Sequence, residues 1–177
     1  MIKVQQVTKT FGDIVALKEV SFETKNGEFL FVTGPSGSGN TTLLRLLLRD
    51  LIPDSGEIVI DDINIVDLSR KDIPTLRRQM GVVFQDFKVL PERTVRENIE
   101  VALAVSGIKQ DEWDKKVESA LDEVGILSKI DVFLSQLSGG ELQRVSLARA
   151  VVTDPKIILA DEPTGNLDQY AAYEMVE

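Results

Sequence analysis

The sequence contains neither cysteine nor histidine, and these two absences exclude several kinds of chemistry. Without cysteine, the chain has no disulfide framework and no thiolate metal site, which suits a reducing compartment. Without histidine, it has no Ser-His triad, no histidine general base and no ordinary zinc site. Those mechanisms are therefore removed from consideration.

Long apolar runs and a surplus of positive charge are also missing. No uninterrupted apolar run is long enough to cross a bilayer, and the opening residues MIKVQQV lack the pattern of a signal peptide, so we expect a soluble, cytoplasmic protein. The formal net charge of -9 argues against nucleic acid or an anionic lipid surface as the main partner. With 177 residues, 43% of them hydrophobic, the chain is long enough for one well-buried core.

A glycine-rich loop lies between an apolar segment and an apolar helical run near residue 40. Phe29–Thr33 predicts a buried strand, and the loop GPSGSGNT follows it. The loop fits the phosphate-binding pattern G-x-x-x-x-G-K-[ST] at every fixed place except the lysine, where Asn40 stands. Glycines let backbone N–H groups approach an anion, and the helix that follows adds its positive dipole end. The candidate phosphate ligands are Gly34, Pro35, Ser36, Gly37, Ser38, Gly39, Asn40, Thr41 and Thr42.

Two carboxylates follow another apolar segment closer to the end of the sequence. Ile157–Ala160 predicts a strand, and Asp161 and Glu162 come directly after it. Charge beside a core is costly unless it is paired or binds a cation. With a phosphate loop present, Asp161 can hold Mg²⁺ together with the Thr41 hydroxyl, and Glu162 can orient or deprotonate a water. Taken alone, the pair would be interpreted as solvated acids at an exposed strand end.

Strand and helix signals alternate on either side of a purely helical stretch. A helix capped by Thr94 and ended by Gly107, an amphipathic helix at Asp111–Val124, and a helix opened by LSGGE occupy that stretch. We therefore predict a mixed α/β core formed by residues 1–86 and 154–177, with an antiparallel N-terminal β part, a parallel sheet around the phosphate loop and an inserted helical subdomain at 87–153. The other predicted strands are Ile2–Val7, Val15–Thr24, Glu57–Ile60 and Gly81–Phe84.

Two further features have both an ordinary and a functional interpretation. The aromatic ring of Phe11, near a turn, is either a half-buried core residue or a surface on which an adenine stacks, and the first is favoured from the residues alone. The glycine-rich start of the LSGGE helix is either an ordinary helical turn or a second anion-facing N-terminus. Its candidate residues are Ser138, Gly139, Gly140 and Glu141.

In combination, these motifs resemble those of the ATP-binding subunits of ABC transporters over essentially the whole chain. The match consists of GPSGSGNT, Gln85, LSGGE followed closely by QR, IILADE and the turn GNLD, in the order of that family. The resemblance implies a P-loop NTPase (RecA-like) fold with ATP and Mg²⁺ as cofactors. It also implies a head-to-tail homodimer, in which the LSGGE loop of one subunit covers the nucleotide held by the other.

The resemblance also assigns a role to single residues. It implies that Phe11 stacks on adenine and that Glu162 is the general base. It places Thr41, Gln85 and Asp161 at the Mg²⁺ site, with Gln85 also sensing the γ-phosphate and the water. Residues Ser138 to Glu141 would contact nucleotide in the partner subunit, and Asp168 would belong to the turn through which the two subunits communicate.

Within the family, residues 85–99 (QDFKVLPERTVRENI) and the turn GNLD are most similar to cell-division ATPases. ATPases for lipoprotein release and macrolide export are the nearest alternatives. The resemblance implies an integral membrane partner that contacts Asp86–Leu90, a position on the inner face of the cell membrane, and no nucleic acid. A P-loop kinase would leave LSGGE unexplained, and the acidic charge disfavours a DNA-repair ATPase. A subunit that binds nucleotide, or nothing, without turnover is the third alternative.

The sequence departs from the family pattern in two ways that concern hydrolysis. Asn40 replaces the lysine that reaches the β- and γ-phosphates, and the family's switch histidine is absent from these 177 residues. The sequence also ends inside a predicted helix, Gln169–Val176, so we expect a C-terminal part of the usual domain to be missing. We therefore expect weak nucleotide binding and very slow hydrolysis.

Overall fold

The computed structural model describes residues 1–164 and divides the chain into two compact units, Met1–Leu76 and Arg77–Glu177. Each unit is described by itself. The turn GNLD, its Asp168 and the predicted helix Gln169–Val176 lie outside the described residues. No helix within residues 1–164 is long and apolar enough to cross a membrane.

The first unit contains an antiparallel sheet in the order β2-β1-β3-β4. The long hairpin of β1 and β2 turns at Gly12, which has φ +59°. In β3 the alternating Ile58 and Ile60 face the core, and in β1 the buried Val4 and Val7 lie on either side of an irregularity in the strand pairing. This sheet confirms the predicted antiparallel N-terminal β part. The elements are β1 (Ile2–Phe11), β2 (Ile14–Thr24), α1 (Asn40–Leu47), β3 (Ser55–Ile60), β4 (Ile63–Asn64) and the short α2 (Ile73–Arg77).

The segment before the phosphate loop differs from its prediction. Phe29–Thr33 is not a strand, and none of the strands within residues 1–164 pairs with it. Its side chains are exposed, including 82% of Phe29 and 75% of Phe31. A strand is stabilised by the neighbours that accept and donate its backbone hydrogen bonds, so an apolar sequence without such a neighbour remains irregular. The predicted buried strand is therefore wrong for the structure described.

The second unit contains a parallel pair of strands. The elements are β5 (Met80–Val83), α3 (Val95–Ser106), α4 (Trp113–Glu123), α5 (Gly139–Val151) and β6 (Ile157–Ala160). Helix α5 packs against β5. The helices share a core that includes the fully buried Ile99, Leu103, Leu121 and Val145.

The ends of α3 follow the sequence signals. Thr94 and Glu97 form a reciprocal capping box at its start, and Gly107 ends it with φ +75°. The helices predicted between Asp86 and Thr153 are confirmed, while the boundaries of a separate subdomain at 87–153 stay a prediction.

Candidate nucleotide-binding site

The phosphate loop has a backbone shape that requires glycine. Gly37 and Gly39 have φ of +82° and +98°, in the positive-φ region that residues with a side chain rarely adopt. A Cβ atom at Gly39 would also collide with the carbonyl oxygen of Ala16 and lie 2.8 Å from Cδ2 of Leu17, both in β2. The missing side chain therefore lets the loop pack closely against β2.

Helix α1 begins at this loop and leaves its first N–H groups without a side-chain cap. Gly39 occupies the N-cap position, and no side chain of the described residues accepts a hydrogen bond there. The first turn also carries no acidic residue. Leu43, Leu44, Leu46 and Leu47 are buried and fix the helix in the unit. The helix start therefore presents uncapped donors and a positive dipole end, which together suit an anion such as phosphate.

Asn40 is the first residue of α1 and stands at the position of the family's lysine. The Ser38 hydroxyl donates a hydrogen bond of 3.3 Å to Oδ1 of Asn40. An amide here supplies polar groups but no charge. The loop therefore depends on backbone N–H groups and the helix dipole at the place where a lysine would add an ammonium.

The ring of Phe11 lies at the surface of the first unit and is oriented by a cation. The ring is 45% exposed, and Nζ of Lys9 lies 5.6 Å from its centroid. Lys9 is held in turn by Asp54, with 2.8 Å between Nζ and Oδ1. Hydrogen bonds from the Lys9 side chain and from the hydroxyl and backbone N–H of Thr10 lower the pKa of Asp54 from 3.8 to about 2. An exposed ring held in this way suits stacking, and no local sequence signal predicts its support by Lys9 and Asp54.

Gln85 and Glu162 meet in the second unit. Strands β5 and β6 are parallel, with Val83 opposite Ala160, so the residues that follow each strand emerge at the same edge. Nε2 of Gln85 donates a hydrogen bond of 3.0 Å to Oε2 of Glu162. Two side chains predicted to act on the same water, 77 positions apart in the sequence, are thus in direct contact.

Asp161 and Glu162 follow β6 with a defined backbone geometry. The N–H of Asp161 donates to the carbonyl of Val83 over 2.9 Å, which continues the strand pairing by one residue. Glu162 has φ +46°, a left-handed conformation that costs a residue with a side chain about 1–2 kcal/mol. Backbone strain of this kind is typical of positions where a side chain has a functional role.

The donor types predicted for Mg²⁺ fit that ion. The hydroxyl of Thr41, the amide oxygen of Gln85 and the carboxylate of Asp161 are hard oxygen ligands, and Mg²⁺ is usually held by one or two carboxylates plus phosphates and waters. No group of three or more acidic side chains among residues 1–164 is arranged to hold a metal by itself. The chemistry of the set therefore suits a cation shared with a phosphate ligand.

The LSGGE loop forms the start of α5. The Ser138 hydroxyl accepts a hydrogen bond of 3.3 Å from the N–H of Glu141, and the Glu141 carboxylate accepts one of 2.8 Å from the N–H of Ser138. The backbone N–H of Ser138 is the main cause that lowers the pKa of Glu141. The carboxylate is therefore occupied in capping the helix, and the remaining N–H groups at the helix start are those of Gly139 and Gly140.

The segment after Gln85 is held by two side chains that the sequence reasoning did not single out. Arg149, in the last turn of α5, donates to the carbonyl oxygens of Phe87 and Lys88, and the buried Asn98 bonds both backbone groups of Leu90. The signal for Arg149 was a lone arginine in the otherwise small and apolar run SLARAVV. The structure thus connects the helix of the LSGGE loop with the segment that follows Gln85.

The structure places the predicted site residues in two groups. Phe11 and the loop Gly34–Thr42 belong to the first unit. The second unit holds the other described candidates, namely Gln85, Ser138, Gly139, Gly140, Glu141, Asp161 and Glu162. Gln85 and Glu162 are brought together, whereas the predicted Mg²⁺ ligands Thr41 and Asp161 belong to different units.

Comparison with protein families and with known proteins gives a consistent result. The family model described as "ABC transporter" matches residues 17–165. The cell-division ATP-binding protein FtsE of Streptococcus pneumoniae serotype 2 is 43% identical over 99% of this chain and 77% of that protein. FtsE of Escherichia coli K12 is 46% identical over 95% of this chain and 76% of that protein.

Solved structures agree. A dimeric bacterial ABC transporter cassette has a TM-score of 0.90 and 38% identity, over 99% of this chain and 79% of that one. A dimeric ATP-binding cassette in a post-hydrolysis state with ADP and Pi has a TM-score of 0.88 and 37% identity, also over 99% and 79%. The fold is therefore that of an ATP-binding cassette.

Proposed function

The chain belongs to the ABC transporter family, and from this membership we propose that it is the ATP-binding subunit of a complex that acts in bacterial cell division. It binds MgATP, forms a head-to-tail homodimer and hydrolyses the nucleotide to drive a membrane partner. The relatives named FtsE support the cell-division role, and the dimeric cassettes support the homodimer. The observation that carries hydrolysis most directly is the contact of Gln85 with Glu162.

Binding follows from the loop and the helix start. The uncapped N–H groups at the start of α1 and the glycine backbone of Gly34–Gly39 hold the phosphates. The Thr41 hydroxyl, the Asp161 carboxylate and the Gln85 amide oxygen would hold Mg²⁺, which would supply positive charge against the phosphate oxygens. Phe11 stacks on the adenine. Gly139 and Gly140 donate N–H groups to the γ-phosphate held by the partner subunit, and Asp168 contributes to communication between the subunits.

Hydrolysis follows from the pair at the strand ends. The Glu162 carboxylate accepts a proton from the attacking water, whose oxygen then bonds to the γ-phosphorus as the bond to the bridging oxygen breaks. Gln85 holds Glu162 through its Nε2 and orients the water. The left-handed backbone of Glu162 fixes the direction of its carboxylate. The acid-base step therefore needs no histidine.

The membrane partner is an integral membrane protein resembling FtsX, and it contacts Asp86–Leu90. The side chain of Leu90 is exposed there, and Asp86 and Lys88 form a local ion pair of 2.6 Å. A partner of this kind implies a position on the inner face of the cell membrane. Changing Phe87 or Leu90 to serine should weaken co-purification with the partner and leave MgATP affinity unchanged. Binding of duplex DNA at micromolar affinity and physiological salt would contradict this assignment.

Asn40 favours a second candidate function, a nucleotide-binding interaction subunit that does not turn over. Charge on the transferring phosphoryl group is stabilised in part by the family's lysine, and Asn40 lacks that charge. A subunit of this kind would still bind MgATP and dimerise. ATPases of lipoprotein release or macrolide export have no comparable observation in their favour.

A Glu162→Gln variant tests the proposal. The substitution keeps the shape and the contact with Gln85 but removes the base, so phosphate release should fall by about 10²–10⁴-fold while MgATP binding persists and the ATP-bound dimer accumulates. Phosphate release and sedimentation velocity measure the two effects. Glu118→Gln, an exposed carboxylate on α4, is the matched control. Phosphate release that is measurable in the parent and unchanged in Glu162→Gln would refute Glu162 as the base; no release from either would favour the second candidate function.

A further inference from the structure

Asp86–Leu90, here called the coupling segment, joins Gln85 to the region before α3 and contains a strained turn. Phe87 and Lys88 have φ of +58° and +47°, although neither is glycine. Two successive residues with side chains rarely take this conformation unless the surroundings impose it. The turn is closed by N–H donation from Phe87 to the carbonyl of Phe84 and from Lys88 to that of Asp86.

Arg149 supplies a large part of those surroundings. Its Nη2 donates to the carbonyl oxygen of Phe87 and its Nη1 to that of Lys88, each over 2.8 Å. The Ser146 hydroxyl, one helical turn earlier, also lies 3.5 Å from the Phe87 carbonyl oxygen. The planar guanidinium presents its donors as a rigid fork, so one side chain fixes two adjacent carbonyls at once. The turn and the helix α5 are thereby joined.

Burial makes this contact hard to replace. Arg149 is half-buried, and the desolvation that this burial causes lowers the pKa of its guanidinium. A charge partly removed from water is unfavourable without partners, so the two carbonyls stabilise Arg149 while Arg149 stabilises the turn. At the other end of the coupling segment, the amide of Asn98 accepts from the N–H of Leu90 over 2.8 Å and donates to its carbonyl over 3.1 Å. Both ends are therefore held by polar side chains, the half-buried Arg149 and the buried Asn98.

We propose that Arg149 is a positioning residue that fixes the coupling segment, and through it Gln85, to the helix that begins with the LSGGE loop. Gln85 lies two residues before Phe87 and holds Glu162. Helix α5 and the side chain of Arg149 thus connect Ser138, at the start of the helix, with the carbonyls of Phe87 and Lys88. A movement of α5 is then transmitted to Gln85. A role for this connection in ATP hydrolysis rests on the proposed function, whereas the contact of Arg149 with the coupling segment does not.

Amide hydrogen exchange without nucleotide tests the contact. In Arg149→Gln, the amides of Phe87 and Lys88 should exchange about tenfold faster or more, because two charge-assisted hydrogen bonds are lost. Arg144→Gln is the matched control, since Nη1 of Arg144 donates to the carbonyl of Val124 over 2.8 Å from the same helix. The control should leave exchange in the coupling segment unchanged. Equal exchange in the parent and in Arg149→Gln would overturn the proposal.

A second variant separates positioning from a general loss of stability. Glycine takes positive φ without steric cost, so Lys88→Gly in the Arg149→Gln background should restore part of the protection of the Phe87 amide. Core amides of Ile99 and Leu121 should exchange alike in all these variants. If Arg149→Gln speeds exchange at the core amides as much as at Phe87, Arg149 is merely structural and the proposal fails.

The side-chain amide signal of Gln85, followed by NMR during a MgATP titration, tests the link to function. The parent should show a shift on MgATP that is reduced or altered in Arg149→Gln. The same shift in both chains would refute positioning of Gln85 by Arg149. No shift in either chain would contradict the proposed function, while the exchange result without nucleotide would still decide the contact of Arg149 with the coupling segment.

Discussion

Replacement of Asn40 by lysine should tighten MgATP binding by up to about three orders of magnitude. Asn40 is the first residue of α1, and the first turn of that helix carries no acidic residue that would engage a new ammonium. An ammonium about 4 Å from a phosphate oxygen at an effective dielectric constant near 20 gives roughly 4 kcal/mol of gross attraction. Desolvation of the ammonium reduces that gain, and repulsion from the helix dipole reduces it by a further amount of about 0.3–1 kcal/mol. At about 1.4 kcal/mol per decade, the upper bound is about three decades.

Titration calorimetry with MgATP measures the affinity of the parent and of Asn40→Lys, and a phosphate-release assay measures turnover. Asn40→Gln is the matched control, because it lengthens the side chain without adding charge and should bind MgATP about as weakly as the parent. Turnover should rise with the lysine, since the transferring phosphoryl group gains a stabilising charge. Equal MgATP affinity for the parent and Asn40→Lys, or equal tightening by Asn40→Gln, would refute the reasoning.

Three further outcomes follow from single residues. Gly39→Ala should abolish MgATP binding in calorimetry, because its Cβ collides with the Ala16 carbonyl at φ +98°; unchanged affinity would contradict the geometry of the loop. The pKa of Asp54 is lowered to about 2, so its carboxylate stabilises the fold above pH 4 and this stabilisation is lost as the pH falls towards 2. The free energies of unfolding of Asp54→Asn and of the parent should therefore differ above pH 4 and converge towards pH 2. A difference between them that grows towards pH 2 would contradict this expectation. Ser138→Ala removes a helix cap and should lower the free energy of unfolding by about 1 kcal/mol in urea denaturation, whereas no change would show that the cap is unimportant.

Elements specified by local signals could be predicted from the sequence. The β1–β2 hairpin follows from alternation and from the turn at Gly12, and α3 follows from Thr94 at its start and Gly107 at its end. These signals act within a few residues, so no knowledge of the rest of the fold is needed. The loop Gly34–Thr41 was also predictable, because its glycines meet a steric demand of the backbone.

The failure at Phe29–Thr33 has a different origin. Its composition predicts a strand, but strand formation depends on a neighbour that composition does not reveal, and no strand of residues 1–164 pairs with it. The supports of the site were missed for a related reason. Arg149 contacts residues 61 and 62 positions away, and Lys9 meets Asp54 across 45 positions. Contacts at such separation are set by packing, so a single sequence shows only that a charged residue is present.

Hydrogen exchange of the phosphate loop with and without MgATP tests the central claim most directly. The account predicts that the backbone amides of Gly37, Gly39, Asn40 and Thr41 exchange more slowly when MgATP is present, because phosphate oxygens accept their hydrogen bonds. AMP, which lacks the β- and γ-phosphates, should protect them less. Unchanged exchange of these four amides at millimolar MgATP, with the fold intact by circular dichroism, would contradict the claim that this chain binds ATP through its glycine-rich loop.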